Sequence, residues 1–144
     1  MTEYLLDTNV VSELRKGRRC DERVAVWHST LAEGSTWLSV VVLAEIWRGV
    51  EQLRRKDPIQ SSHLERWFTG LKRGYPSRIL PVNEGIAIRW GSINASNRLP
   101  FMDGFLAATA LEHNLVLATR NVADVRNCGV RYVNPFAFLP SESG

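Results

Sequence analysis

The chain has 144 residues, 44% of them hydrophobic and 23% charged, the make-up of one globular domain that buries about two-thirds of its unfolded surface without disulfide staples. No apolar run nears the ~20 residues of a membrane span, and Glu3 and Asp7 interrupt any signal-like stretch, so a soluble cytoplasmic protein with no membrane contact is expected. Eighteen Lys and Arg against fifteen Asp and Glu leave +3; if several acids gather in one pocket, the remaining surface is basic enough to suit a polyanion. Cys20 and Cys128 form no C-x-x-C and are expected to stay reduced.

In chain order, Tyr4-Leu5-Leu6 reads as a short buried strand with Asp7 at its carboxyl end, where helical spacing begins. Asp7 either caps the helix expected over residues 9–16 or faces a ligand, because ligands bind at that edge of an open α/β sheet. Gly17 to Asp21 is a basic loop ending in a plausible cap. Val24, Trp27, His28 and Leu31 then keep the spacing of a helix with one buried face. His28 rides on that face as packing, and neither His63 nor His113 joins it in metal-ligand spacing.

Residues 36–39 read as a second strand and residues 41–56 as a long helix whose apolar stripe is Leu43, Ile46, Trp47, Val50 and Leu53. Glu45 lies off the stripe in the first turns; a surface pair with Arg48 would explain it locally. Asp57-Pro58 stops this helix, and Leu64, Trp67, Phe68 and Leu71 mark the next. Residues 79–82 read as a third strand, with Pro81 arguing for an edge or a strand end. Ile86, Trp90 and Ile93 mark a further helix.

Asp103 opens Gly104-Phe105-Leu106-Ala107-Ala108-Thr109-Ala110-Leu111, apolar nearly all round and therefore a helix buried against the sheet. Its carboxylate either caps that helix or, if buried, needs a partner, a proton or a metal. Residues 115–119 form a fourth strand leading to Asn121 and Asp124, residues 130–133 a fifth, and a polar, frayed tail follows. The alternation of strands and helices implies an α/β fold: one domain with a central, mostly parallel sheet of about five strands and helices on both faces. In it Asp7, Glu45, Asp103, Asn121 and Asp124 can converge on one rim.

Leu6-Asp7-Thr8-Asn9, Leu38-Ser39 with Leu43-Ala44-Glu45 and Gly49, Asp103 to Ala110, and Ala118-Thr119-Arg120-Asn121 together resemble the successive motifs of PIN-domain ribonucleases. The resemblance is closest to the VapC-type toxins of bacterial toxin–antitoxin pairs, including the FitB-like branch, and spans nearly the whole chain. It divides the sequence into a PIN-like domain over 1–135 and a tail over 136–144. It implies a magnesium-dependent endoribonuclease silenced by a cognate antitoxin, with RNA as substrate, a homodimer as assembly, and promoter DNA reached only through the antitoxin.

Elementary chemistry makes that assignment reasonable. Carboxylates a few ångströms apart repel and raise one another's pKa unless a cation intervenes. Oxygen donors without converging His or Cys select Mg²⁺, with Mn²⁺ as a substitute, which would activate a water for attack on a phosphodiester. Asp7 and Asp103 would be the principal ligands, with Glu45 as a further ligand or as the base orienting the nucleophile. Thr8 and Thr119 would hydrogen-bond these carboxylates from behind.

Many family members carry an acid where this chain has Asn121, so Asp124, three residues on, is expected to supply the missing charge; alternatively Asn121 caps the turn and Asp124 is solvated. A haloacid-dehalogenase site would need a second Asp where Asn9 stands, and a phosphoacceptor receiver would need a lysine after a late strand, where there is none. The remaining competitor is a non-catalytic RNA- or protein-binding module on a degenerate PIN fold.

Overall fold

The computed structural model describes residues 1–140. Five strands, β1 (Tyr4–Leu6), β2 (Thr36–Ser39), β3 (Ile79–Leu80), β4 (Val116–Ala118) and β5 (Tyr132–Val133), form one sheet in the order β3-β2-β1-β4-β5. Every pairing is parallel: Leu5 lies opposite both Trp37 and Leu117, and Leu6 opposite Ala118. The chain first lays strands outward from β1 to the β3 edge, then returns to place β4 on the other side of β1. With right-handed crossovers, that reversal covers both faces of the sheet and opens a crevice at the carboxyl ends of β1 and β4.

Among the described residues seven α-helices connect the strands: α1 (Thr8–Arg15), α2 (Glu22–Ser29), α3 (Val40–Lys56), α4 (Pro58–Arg73), α5 (Glu84–Ser96), α6 (Phe101–His113) and α7 (Val122–Val125). Local chemistry sets several of their ends. Asp21 accepts from the N–H groups of Arg23 and Val24, Ser39 from Val41, Asp57 from Gln60 and Asn83 from Ile86, each side-chain oxygen taking an N–H that the first helical turn leaves unpaired. Pro58 starts α4, where its missing N–H costs nothing. Asn114 ends α6 in the left-handed region at φ 54°.

The core combines Leu5, Leu6, Leu38 and Leu117 of the sheet with Val10, Val42, Ile86 and Leu106 of the helices. As expected for a helix apolar all round, α6 buries Gly104 and the whole run from Leu106 to Ala110.

Several expectations need correction. His28 is exposed, because α2 is short and turns only Val24 and Trp27 fully inward. The buried side of α3 is Val41, Val42, Ile46 and Val50, so its stripe is rotated from the one expected and Trp47 is 37% exposed. Strand β3 ends before Pro81, and β5 begins only at Tyr132. The segment read as a frayed tail starts as packed structure: Pro135–Ala137 is a 3-10 turn capped by Asn134, and Phe136 and Phe138 lie against the core. The end of the expected tail, residues 141–144, lies outside the described residues.

Candidate functional site

Asp7 sits where β1 becomes α1. It is 5% exposed, and both carboxylate oxygens are in use. Oδ1 accepts from the N–H of Thr8 at 2.6 Å; Oδ2 accepts from Thr119 Oγ1 at 2.6 Å and Asn9 Nδ2 at 3.3 Å. Capping and a ligand-facing role were alternatives on the sequence, yet the two oxygens allow the side chain to cap α1 and still be held against β4. Burial pushes the Asp7 carboxyl up, against the hydrogen bonds that pull it down.

Glu45 reaches the same crevice from the second turn of α3. Its Oε1 accepts from Thr8 Oγ1 at 2.8 Å, and no ion pair with Arg48 forms among the described residues. Thr8 thus supports Glu45 and Thr119 supports Asp7.

Asp103 stands in the first turn of α6, three residues past the Pro100 cap position, and is not itself the cap. Its carboxyl is pushed up to about 6, first by burial, then by the negative charges of Asp7, Asp124 and Glu45, and by a hydrogen bond with Asp124. Carboxylates from three other stretches of the chain therefore act on Asp103. No cationic side chain forms an ion pair with any of them among the described residues.

Asn121 is the exception within this group. It occupies the cap position of α7, but its side chain makes no capping bond and is exposed. Its contribution is through the backbone, where its N–H donates to Thr119 Oγ1 at 3.0 Å. A line of donors thus runs from Asn121 through the Thr119 hydroxyl to Asp7.

Sequence reasoning gave no role to Asn9, which the structure makes a brace. Its Nδ2 holds Asp7, while its Oδ1 accepts from the N–H of Arg120 at 3.2 Å, tying the loop after β1 to the loop after β4. The signal was a second polar amide two residues past the cap. Gly104 was also missed as a determinant. A Cβ there would stand 2.9 Å from Trp90 Nε1 and closer still to the Asn94 amide, so only glycine lets α6 approach α5 this closely beside Asp103.

Among the described residues no three acidic, His or Cys side chains are gathered closely enough to grip one ion: Asp103 leans on Asp124, Asp7 on Thr119 and Glu45 on Thr8. The donor chemistry nonetheless fits a hard divalent cation, since the donors are all oxygen, three other carboxylates bear on Asp103, and no cationic side chain among the described residues is paired with them.

A separate groove of about 380 Å³ opens between α1, α2 and α4, lined by Val11, Leu14, Ala25, Trp67 and Leu71 among others. Cys20 also borders it; this thiol and Cys128 are unbridged, half-buried and pushed up by burial. Of the five tryptophans, only Trp27 is fully buried.

A parallel α/β domain with an acidic crevice at its strand-order reversal is one general class of protein, and the sequence narrows it. Residues 4–123 match the PIN domain, and this chain belongs to that family, as the motif resemblance implied. It is 33% identical over 139 residues to a protein named Toxin FitB from Neisseria gonorrhoeae, covering 92% of this chain and 97% of that one. It is 48% identical over 65 residues to a protein named Ribonuclease VapC14 from Mycobacterium tuberculosis, covering 45% of this chain and 62% of that one.

Among solved structures, FitAcB from Neisseria gonorrhoeae superposes with a TM-score of 0.78 at 31% identity, covering 94% of this chain and 99% of that one. A toxin–antitoxin complex from Klebsiella pneumoniae shares the fold, with a TM-score of 0.71 at 23% identity, over 92% and 98% of the two chains. Asp124 lies one residue beyond the family match. No helix among the described residues is long and apolar enough to cross a membrane.

Proposed function

We propose that this chain is a divalent-metal-dependent endoribonuclease and the toxin of a toxin–antitoxin pair. The observation that carries the reading is the Asp103 carboxyl, raised to about 6 by burial and by three other carboxylates at the carboxyl edge of the sheet. Uncompensated charge of that kind is costly unless a cation or a reaction uses it. The names of the relatives point the same way.

In this reading Asp7 and Asp103 hold Mg²⁺, or Mn²⁺ in its place, with Glu45 close by. The ion would supply an activated water and offset charge on the phosphoryl oxygens. Thr119 and Asn9 fix the orientation of Asp7 by donating to Oδ2, and Thr8 does the same for Glu45, so that the carboxylates keep their aim as charge shifts. Glu45, half-buried and bonded through only Oε1, has its other oxygen free to accept a proton from the attacking water.

The groove between α1, α2 and α4 suits an apolar antitoxin segment, with one edge formed by Arg15 beside the Thr8–Glu45 pair. Promoter DNA would be reached through that antitoxin, and exposed Trp47 and Phe101 are available to a second copy of the chain.

Cleavage of a single-stranded RNA by purified protein is the direct test. Cutting is expected with Mg²⁺ or Mn²⁺, and none with excess EDTA or with Asp7→Asn. Equal cutting in EDTA would refute metal dependence. A folded protein that binds RNA or a co-expressed antitoxin but cuts under no metal condition would instead be a binding module, a reading that neutral Asn121 favours.

A further inference from the structure

We propose that the basic turn after α1, with Arg15, Arg18 and Arg19, is an exosite that holds the phosphate backbone of single-stranded RNA beside the carboxylate crevice. This rests on the ribonuclease reading above and names where its substrate runs.

Continuity is the first support. A cleft of about 200 Å³ borders the site, with Thr8 and Glu45 at one end and Ser12, Arg15 and Trp67 farther along. A broader depression is lined by Ser12, Arg15, Lys16, Arg18 and Arg19. The two share Ser12 and Arg15, so a strand leaving the crevice along α1 passes from one into the other. At 1.5 Å of rise per residue, Arg15 lies about 10 Å along α1 from Thr8, within the reach of a few nucleotides.

Charge is the second. Arg15, Arg18 and Arg19 are exposed and take part in no ion pair among the described residues, whereas neighbouring Lys16 is paired with Glu13 at 3.0 Å. A crevice of carboxylates repels phosphates, and nearby uncompensated cations offset that repulsion and draw the strand in. Arginine also presents a planar fork that matches phosphate oxygens.

The turn is also braced. Gly17, at φ 59°, reverses the chain into the 3-10 turn Gly17–Arg19. Glu13, 9% exposed, accepts from Lys16 Nζ on one oxygen and from the N–H of Asp21 at 2.9 Å on the other, clamping both ends of that turn. Arg15 lies over the Trp67 ring, 5.4 Å from its centroid. An acidic protein segment is the rival occupant, but the residues lining this depression are Ser12 and four cations, while the apolar groove, which shares Arg15, is lined by Val11, Leu14 and Leu71.

The experiment measures binding apart from cleavage. In cleavage-deficient Asp103→Asn protein, affinity for a labelled single-stranded RNA of about 20 nucleotides is followed across a salt series in EDTA. Adding Arg18→Ala and Arg19→Ala should weaken binding about tenfold and reduce the log–log salt slope by about 1.4, two phosphate contacts' worth. Both side chains are exposed, so the thermal midpoint should not move; Arg18→Glu with Arg19→Glu should weaken binding further.

With Asp103 restored, the Ala pair should raise KM for the long RNA and leave kcat, and cleavage of a tetranucleotide, unchanged. An unaltered affinity and slope, or equal losses on long and short RNA, would overturn the exosite. So would weakened antitoxin binding with RNA binding intact. A wild type that binds with the expected arginine dependence but never cuts would sink the ribonuclease reading and leave the exosite standing.

Discussion

Thr119 Oγ1 donates a 2.6 Å hydrogen bond to Asp7 Oδ2, joining the end of β4 to the end of β1 across 112 residues of sequence. Thr119 is 1% exposed and Asp7 5% exposed, so water cannot readily replace the hydroxyl. Thr119→Val keeps the side-chain shape and removes the donor. It should destabilise the fold by about 1–3 kcal/mol and lower RNA cleavage, whereas Thr119→Ser should stay near wild type in both. Urea midpoints and cleavage rates check this, and a Val variant indistinguishable from wild type would show that Asp7 is oriented without it.

Asp103 sets a pH dependence. Its carboxyl is raised from an ordinary value near 3.8 to about 6 in the metal-free fold. Its contribution to stability is therefore fully present below pH 3.8 and is lost as the pH rises through about 6. For a partly exposed group the discounted loss is about 1 kcal/mol, roughly 3 °C in Tm for a domain of this size.

Asp103→Asn should remove that loss, raising the melting temperature in EDTA at neutral pH while abolishing cleavage. Wild type should regain the difference on adding Mg²⁺ or Mn²⁺, and its cleavage should climb between pH 5 and 7 as metal displaces the proton. Melting curves in EDTA that do not separate the two proteins at any pH would count against a strained cluster.

At the fourth position we propose that Asp124 serves rather than Asn121. Asp124 lies close enough to raise the Asp103 carboxyl, while the Asn121 side chain makes no capping bond. Asp124→Asn should raise the Mg²⁺ concentration for half-maximal cleavage, and Asn121→Asp should be tolerated or lower it. Metal dependence unchanged by Asp124→Asn, together with an inactive Asn121→Ala, would reverse these roles.

Much of this was legible because it is local or periodic. Tyr4 to Leu6 is a short apolar run followed at once by its cap Asp7, Thr36 to Ser39 ends in its cap Ser39, and both strands lie where the sequence implies. Asp57-Pro58 ends one helix and begins the next for reasons held within four residues. The convergence of Asp7, Glu45 and Asp103 also followed from placing each after a strand or at a helix start.

What sequence could not supply depends on partners far along the chain. The two-sided use of Asp7, the brace at Asn9 and the glycine demanded where α6 meets α5 are tertiary relationships with no periodic signal. The rotation of α3 was not legible either: Trp47 is 37% exposed and meets Phe68 of α4 with 5.5 Å between ring centroids. The C-terminal segment looked polar, yet Phe136 lies 4.5 Å beneath the Arg120 guanidinium, a contact that orders both.

The pairing of β1 with β4 also governs when the crevice is assembled during synthesis. Chains emerge from the ribosome N-terminus first and fold as units, but Asp7 acquires its Thr119 and Arg120–Asn9 supports only after the fourth strand has been made. A half-finished chain carries Asp7 and Glu45 without Asp103 or Thr119, and holds no assembled crevice. Distance along the sequence therefore acts as a timer, and the crevice is complete only after β4 and the loop that follows it have been made.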